Sequence, residues 1–267
     1  MGYEADYLTV TEYERLQQAC GEGVELVPVR GIIEKSRLVK DSGELDGLRS
    51  IAALASQAYE DMLAAGEVAV GRTERDIAAD LEYRMRKLGA ERPSFDSIVA
   101  SGPNSAKPHH GAGDRVIKAG DLVTIDFGAY ANGFNSDMTR TLIMEHTTDS
   151  TKEIYDTVLQ AQLAGVKAAT PGTSLRDVDR ACRDIIKAAG YGDYFVHSTG
   201  HGIGLDVHEL PYAATTGTGE LAEGMTLTIE PGIYVPGKGG VRIEDTLIIT
   251  SGEPEIITKV SKELRVV

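Results

Sequence analysis

The segment GDLVTIDFGAY, residues Gly120–Tyr130, recurs later in the chain as GMTLTIEPGIY, residues Gly224–Tyr234. In this alignment Asp126 falls on Glu230, and a glycine and a tyrosine follow at matching positions. The residues just before each acid are apolar or β-branched, a pattern typical of buried strands. Each copy is therefore predicted to end a buried strand on a carboxylate.

A second acid follows each of these strands after a run of turn-forming residues. The first copy has ANG at 131–133 before Asp137, and the second has PGKGG at 236–240 before Glu244. Each of these two acids is followed two positions later by a threonine. Because such turns join antiparallel strands, each copy is predicted to be a β-hairpin that brings its two acids together.

Helical periodicity precedes each predicted hairpin, in two pairs of segments. Shifting the sequence by 101 residues lays Gly71 on Gly172 and Gly89 on Gly190, so the helices repeat as well. The first helix is predicted to begin at a cap at Asp41 or Ser42, and the second to run from Thr73 to Leu88. The third is predicted to begin at a capping box of Ser150 with Glu153, and the fourth to run from Ser174 to Gly190. The side chains predicted to face inward include Leu81, Leu88, Tyr155, Leu159 and Leu163.

The repeat predicts an α+β fold made of a duplicated helix–helix–hairpin unit, with its halves facing each other across a pseudo-two-fold axis. Four carboxylates would then converge, and burying several unpaired anions together costs many kcal/mol. Clustered carboxylate pairs suit two divalent ions about 3.5–4 Å apart, which generate a hydroxide nucleophile. The alternative, solvated hairpin acids, is the usual fate of single carboxylates, but the apolar flanks and the repetition favour metal ligands.

Composition limits the other classes of function. The chain has 267 residues, of which 27 are basic and 41 acidic, giving a net charge of −14 that disfavours nucleic acid and anionic membranes as partners. No apolar run approaches a membrane span, and the acidic N-terminal residues are unlike a signal peptide. Cys20 and Cys182 are too few for a disulfide framework or a thiolate cluster. We therefore expect a cytoplasmic globular protein in which both cysteines are buried.

Histidines are candidates for the remaining roles. His201 lies between glycines in STGHGIG, where the backbone can approach a site closely, and is the natural nitrogen ligand. His208 and His109 could donate hydrogen bonds or move protons there, or be structural, and the residues alone favour neither reading. His110 is a weaker candidate, and His146 with His197 are predicted to lie outside the site. Dinucleotide-binding, Walker and Gly-x-Ser-x-Gly patterns are absent.

At these residues, from about Lys40 to the C-terminus, the sequence resembles the pita-bread metallopeptidases, the family of methionine aminopeptidase, aminopeptidase P and prolidase. The resemblance implies the pita-bread (creatinase/aminopeptidase) fold, a curved and mainly antiparallel sheet covered by helices. It also implies two divalent ions per chain, manganese or cobalt with zinc or iron as alternatives. The five implied ligands are Asp126, Asp137, His201, Glu230 and Glu244.

The resemblance also implies a role for each site residue. Asp126 would bind one ion, His201 and Glu230 the other, and the two remaining acids, Asp137 and Glu244, would bridge both. Glu230 would also act as the proton shuttle. The implied roles of the other residues are substrate contact for His109, polarisation of the scissile carbonyl for His208, and orientation of the ligands for Arg242.

The strand motifs and GLDVHELP resemble the Xaa-Pro branch, which implies hydrolysis of the bond between an N-terminal residue and a following proline. Residues 40–267 would be the catalytic domain. Residues 1–39 would be a remnant of an N-terminal domain and linker. Their predicted elements are a helix at Thr9–Cys20 and an edge strand within Val24–Val29 that ends at Pro28. In the family that domain commonly contributes to the substrate pocket and to a homodimer.

Three alternative functions share parts of this pattern. One is a non-catalytic module of the same fold that binds peptides or proteins, and another is a metal-free creatinase-type hydrolase, but both typically lack part of the ligand set. The third is methionine aminopeptidase, which shares the ligands. Peptides with proline at the second position are the expected substrates.

Overall fold

The computed structural model describes residues 1–267, and the chain divides into two units, residues 1–37 and residues 38–267. The elements of the first unit are β1 (Gly2–Glu4), α1 (Val10–Cys20), β2 (Val27–Val29) and α2 (Ile32–Ser36). Strands β1 and β2 pair in parallel. The predicted helix is confirmed, with Thr9 as its cap.

The predicted edge strand of the first unit is shorter than expected, and it contains Pro28 rather than ending there. The proline is tolerated because the neighbouring residues make the hydrogen bonds of this pair: Val27 donates its N–H to Met1, and Val29 accepts from Ala5. Cys20 is only half-buried, so the expectation of a buried thiol is wrong for this residue.

The second unit repeats one order of elements, a helix pair followed by antiparallel strands. Its first half contains α3 (Ser42–Ala64), α4 (Glu74–Leu88), β3 (Arg92–Pro93), β4 (Ile98–Ser101), β5 (Leu122–Phe127), β6 (Ala129–Ala131), β7 (Phe134–Asn135) and β8 (Met138–Ile143). Its second half contains α5 (Asp149–Ala168), α6 (Leu175–Ala188), β9 (Gly200–Gly202), β10 (Glu209–Ala213), β11 (Thr226–Ile229), β12 (Gly232–Val235), β13 (Gly239–Arg242), β14 (Asp245–Ile248) and β15 (Glu255–Ile256). The predicted duplication is therefore present in the structure.

The matched strands β5 and β11 each pair with the strand that follows the second acid of their copy, although β5 is the central strand of its sheet and β11 an edge strand. Strand β5 pairs with β4 and β8, and β11 pairs with β14, all antiparallel. The matched glycines Gly120 and Gly224, which precede these strands, have positive φ angles of 80° and 83°. Since side chains are rarely tolerated in this conformation, the repeat preserves the backbone as well as the pattern of strand residues.

The helices cover two large apolar cores, one mainly in each half, and a small third cluster joins α3 to Ile248 and Ile257. Helix α4 begins after Thr73 and is followed by Gly89, as predicted, and Ile77, Leu81 and Met85 are buried. Leu88 was predicted to face inward and is 43% exposed, because it lies in the last turn, beyond the end of the packed face. None of the helices combines the length and apolar character needed to span a membrane.

Helix α5 starts two residues earlier than predicted. Its cap is Thr148 rather than Ser150, because Thr148 and Thr151 exchange side-chain and backbone hydrogen bonds in a capping box. Leu163, predicted to face inward, is 49% exposed, while its neighbour Gln162 is buried. Successive side chains on a helix point about 100° apart. The inward face of α5 predicted from the apolar pattern is therefore rotated slightly from the observed one.

Candidate metal centre

The first pair of predicted ligands is brought together by the strand register. Asp126 lies at the end of β5, opposite Thr139 of β8, and Asp137 lies just before β8 begins. The strand residues before Asp126 are buried, so its carboxylate lies at the end of the strand, at the edge of the apolar core. The predicted hairpin thus places two acids side by side.

The second hairpin repeats this geometry. Glu230 directly follows β11 and Glu244 directly precedes β14, whose Asp245 pairs with Ile229. The two hairpins are tied by reciprocal bonds from the repeated threonines. Thr139 donates its Oγ1 hydrogen to Glu244 Oε2 at 2.7 Å, and Thr246 donates its own to the carbonyl oxygen of Asp137 at 2.8 Å.

His201 lies on β9 and completes the cluster. Its Nε2 is 3.3 Å from Glu230 Oε1 and 3.6 Å from Asp137 Oδ2, while its Nδ1 bonds the carbonyl oxygen of Gly202 at 3.0 Å. A Cβ on Gly200 would overlap the carbonyl group of Thr228. The flanking glycines therefore allow the close approach of β9 that the STGHGIG motif predicted.

The candidate ligand atoms converge in overlapping groups. Those of Asp126, Asp137 and Glu244 lie within 4.8 Å of one another, and so do those of His201, Glu230 and Glu244. Three buried carboxylate oxygens have no hydrogen-bond partner: Asp126 Oδ1, Asp137 Oδ1 and Glu244 Oε1. Buried oxygens without donors are costly, and hard divalent cations are suitable partners for them. The residues present therefore fit a metal centre.

The pKa shifts in the cluster also support metal binding. Burial raises the pKa of Glu230 to about 8. Burial and the neighbouring charge of Glu244 raise the pKa of Asp137, and burial with the charge of Glu230 raises that of Glu244. Burial lowers the pKa of His201 to about 4, which keeps its imidazole neutral and able to bind a metal.

Metal binding is expected to release protons near neutral pH. With its pKa raised to about 8, Glu230 is mostly protonated at pH 7, and a bound cation must displace that proton. Burial also raises the pKa values of Asp137 and Glu244. His201 is already neutral and releases none. Affinity should therefore increase as pH rises from 6 to 9, while the number of protons released falls.

Calorimetric titration of metal-free protein with Mn²⁺, in two buffers that differ in ionisation enthalpy, measures this release. We expect about one proton per chain at pH 7, from Glu230, and fewer at pH 9. Equal release at both pH values, or none at either, would contradict the assignment of these carboxylates as ligands.

Arg242, on β13, contacts the cluster from one side. Its guanidinium donates to Asp126 Oδ2 at 2.6 Å, to Thr139 Oγ1 at 3.1 Å and to the hydroxyl of Tyr234 at 2.7 Å. The Arg242 side chain is 3% exposed. A buried ion pair of this kind fixes the orientation of the carboxylate, which agrees with the orienting role that the resemblance implies.

The cluster opens into a cavity of about 280 Å³ that also contains His109 and His208. The His208 ring lies 4.4 Å from the His201 ring, centroid to centroid, in an edge-on arrangement. A nitrogen of His208 also lies within 4.8 Å of ligand atoms of Asp137 and His201. The geometry therefore allows His208 two roles, as a hydrogen-bond donor to substrate or as a ligand.

His197 was predicted to lie outside the site, but it lines the same cavity. Its Nε2 is 2.8 Å from the hydroxyl of Tyr234, which in turn accepts from Arg242. Burial lowers the pKa of His197 to about 4. Its place four residues before His201 was the only sequence signal. His110 bonds Glu74 instead, and neither it nor His146 lines the cavity.

An apolar wall completes the cavity, formed by Phe95, Ile98, Pro108 and Tyr212. None of these residues was singled out from the sequence, because their proximity depends on how strands and loops of both halves meet. The wall offers contact to uncharged groups next to the carboxylates.

Comparisons with known proteins agree with this arrangement. A model described as metallopeptidase family M24 matches residues 46–251, and one described as the creatinase/prolidase N-terminal domain matches residues 1–39. The chain is 45% identical to Xaa-Pro dipeptidase of Pyrococcus furiosus over 240 residues, which cover 90% of this chain and 68% of that protein.

Solved structures are similar along the whole chain. Xaa-Pro dipeptidase from Bacillus anthracis has a TM-score of 0.96 and 47% identity, and X-Pro aminopeptidase from Thermotoga maritima MSB8 has a TM-score of 0.95 and 37% identity. Both matches cover 100% of this chain and 74% of the other. The predicted pita-bread fold is confirmed. The chain therefore belongs to metallopeptidase family M24 and is a hydrolytic exopeptidase that uses divalent metal ions.

Proposed function

We propose that this protein hydrolyses the bond between an N-terminal residue and a following proline, with two divalent ions at the carboxylate cluster. The observation that carries the proposal is the set of three buried carboxylate oxygens without partners, which face a cavity beside His201. The similarity to Xaa-Pro dipeptidases and to an X-Pro aminopeptidase supports proline as the second residue of the substrate.

In this proposal Asp126 would hold one ion and His201 with Glu230 the other, while Asp137 and Glu244 would serve both. Two overlapping groups of ligand atoms support the shared role of Glu244, which belongs to both, and Asp137 Oδ2 lies 3.6 Å from His201 Nε2 of the second group. The ions, once bound, would supply a water molecule of lowered pKa as the nucleophile. Manganese or cobalt is proposed, and zinc or iron would suit the same oxygen and nitrogen ligands.

The remaining chemistry falls to side chains of the cavity. Glu230 accepts the proton of the attacking water and passes it to the leaving amine. His208 donates a hydrogen bond to the scissile carbonyl, where negative charge develops. His109 contacts the substrate, and Arg242 holds Asp126 in place through their 2.6 Å bond.

Proline suits the cavity for a physical reason. Its nitrogen carries no hydrogen in a peptide bond and its φ angle is fixed, so a site shaped for its ring needs no acceptor at that position. The apolar wall of Phe95, Ile98, Pro108 and Tyr212 supplies uncharged surface of this kind. We infer that a smaller residue with a free amide would leave space and an unpaired donor.

A peptide beginning Met-Pro is therefore expected to be cleaved well, and a matched Met-Ala peptide poorly. The measurement is kcat/KM for both peptides at equal length, with manganese and with cobalt. We expect kcat/KM to be roughly tenfold or more higher for the Met-Pro peptide. This is the effect that a lost fit in shape or a lost hydrogen bond typically has on kcat/KM.

Faster cleavage of the Met-Ala peptide under both metals would move the protein to the methionine aminopeptidase branch. No cleavage of either peptide by protein shown to carry its metal would favour the non-catalytic, peptide-binding alternative. Comparing Met-Pro with a longer peptide of the same N-terminus then separates dipeptidase from aminopeptidase activity.

All proposed site residues lie within residues 40–267, which we propose as the catalytic domain, with residues 1–39 as part of an N-terminal domain and linker. The match of residues 1–39 to the creatinase/prolidase N-terminal domain supports this division. A homodimer and a cytoplasmic location remain predictions from the sequence. Size-exclusion chromatography with light scattering would test the first.

A further inference from the structure

Glu74 is a buried carboxylate that the proposed chemistry does not use. It lies in the first turn of α4, and none of its side chain is exposed. Its Oε1 accepts hydrogen bonds from the N–H and the hydroxyl of Ser101 at 2.8 and 2.7 Å. Its Oε2 lies 2.7 Å from Nε2 of His110 and accepts from the N–H of Gly113 at 3.3 Å. A fully buried acid with this many partners joins separate parts of the chain.

The environment favours the ionised form of Glu74. Burial alone would raise its pKa, but the hydrogen bonds from Ser101 and His110 outweigh burial and hold the pKa below its usual value. The first turn of a helix also stabilises negative charge. Glu74 therefore acts as a fixed anion around which polar groups of the next segment are arranged.

That segment is the histidine loop, residues 102–113, which runs from the end of β4 and carries Pro108 and His109 into the cavity. Glu74 bonds Ser101 just before the loop and Gly113 at its far end, and it bonds His110 directly beside His109. Within the loop, Asn104 donates to Glu74 Oε1 at 3.1 Å. The carboxylate therefore holds the loop at both ends and in its middle.

The side chain of His109 makes no hydrogen bond of its own in this structure and is exposed to the cavity. Its position is therefore set by the backbone of the histidine loop. On the other side of the loop, the carbonyl oxygen of Pro108 accepts from Arg242 at 3.3 Å, so the loop is held between Glu74 and the residue that orients Asp126.

We propose that Glu74 is a positioning residue, which places His109 against the substrate through the bonds it makes to His110 and the rest of the histidine loop. The inference rests on the proposed function, in which His109 contacts the substrate. It assigns a task to a residue that lies outside the cavity and touches neither metal nor substrate.

The test begins with Glu74→Gln, which keeps the size of the side chain and removes its charge. We expect kcat/KM for Met-Pro to fall roughly tenfold or more, because a misplacement of about 1 Å can cost up to a hundredfold. Metal content should equal that of the parent. Glu82→Gln, the same change on the same helix at a half-buried residue, is the matched control and should leave kcat/KM unchanged.

The decisive readout is the combination with His109→Ala. If Glu74 acts through His109, then Glu74→Gln should cost less than about twofold in the His109→Ala background, because residues coupled through one hydrogen-bond network or one backbone segment are not additive. A full tenfold loss in both backgrounds would overturn the proposal, since it would show general damage to the fold. An unchanged kcat/KM for Glu74→Gln alone would overturn it as well.

A second variant tests the proposal if Glu74→Gln does not fold. His110→Phe removes only the bond between Oε2 and the ring, and it should show the same dependence on His109, with a smaller loss. Additive losses for this variant would count against the proposal. A parent protein that carries its metal but does not cleave Met-Pro would refute the proposed function instead, so the two failures are distinguishable.

Discussion

Asp137→Ala and Glu244→Ala are each expected to lose most of the bound metal and to lower activity on the order of a thousandfold or more. In the proposed arrangement each of these carboxylates would serve both ions, so its loss would weaken both sites. Metal ions contribute several kcal/mol of transition-state stabilisation, and about 1.4 kcal/mol corresponds to a factor of ten in rate. Asp126→Ala, which removes a ligand of one ion, should retain more metal.

Elemental analysis of the dialysed variants, prepared without chelator, measures the metal content per chain. Asp96→Ala, an exposed aspartate outside the cluster, is the matched control and should keep the metal content of the parent. Circular dichroism checks that each variant is folded. Equal metal content in the parent, the bridging variants and Asp126→Ala would refute the assignment of ligands.

His208→Ala is expected to lower turnover by roughly a hundredfold or more while metal content stays the same. The physical reason is that a donor to the developing oxyanion contributes about 2.7–4 kcal/mol in comparable sites. The measurements are kcat for Met-Pro and metal content for the same preparation. His146→Ala serves as the control, because His146 lies outside the cavity.

The outcome also separates the two roles that the geometry allows His208. Its ring is edge-on to His201 and close to Asp137, so it could coordinate a metal. Loss of metal in His208→Ala would make it a ligand and would remove the proposed donor to the carbonyl. Unchanged kcat with full metal would exclude both roles.

The duplication made the fold of the second unit predictable. The alignment of Asp126 with Glu230 placed each acid at the end of a buried strand, and the intervening turns predicted the hairpins that the strand register confirms. Capping residues such as Thr73 fixed the start of α4. These features are local, since a strand, a turn or a cap is specified by a few neighbouring residues.

What could not be predicted depends on contacts between distant parts of the chain. His197 enters the cavity through its bond to Tyr234, 37 residues away, and nothing near His197 in the sequence indicates that partner. The side of α5 that packs inward is set by the facing strands, so that Gln162 is buried and Leu163 is exposed. In the sequence Glu74 resembles an ordinary acid in the first turn of a helix, because its partners Ser101 and His110 are distant along the chain.

The most direct test of the proposed metal centre is a titration of metal-free protein with Mn²⁺ during hydrolysis of Met-Pro. Because the carboxylates and His201 form two overlapping ligand groups, activity should rise with added metal and saturate when two ions are bound per chain. Full activity in the metal-free protein, or saturation of metal binding at two ions with no cleavage of Met-Pro, would contradict the account.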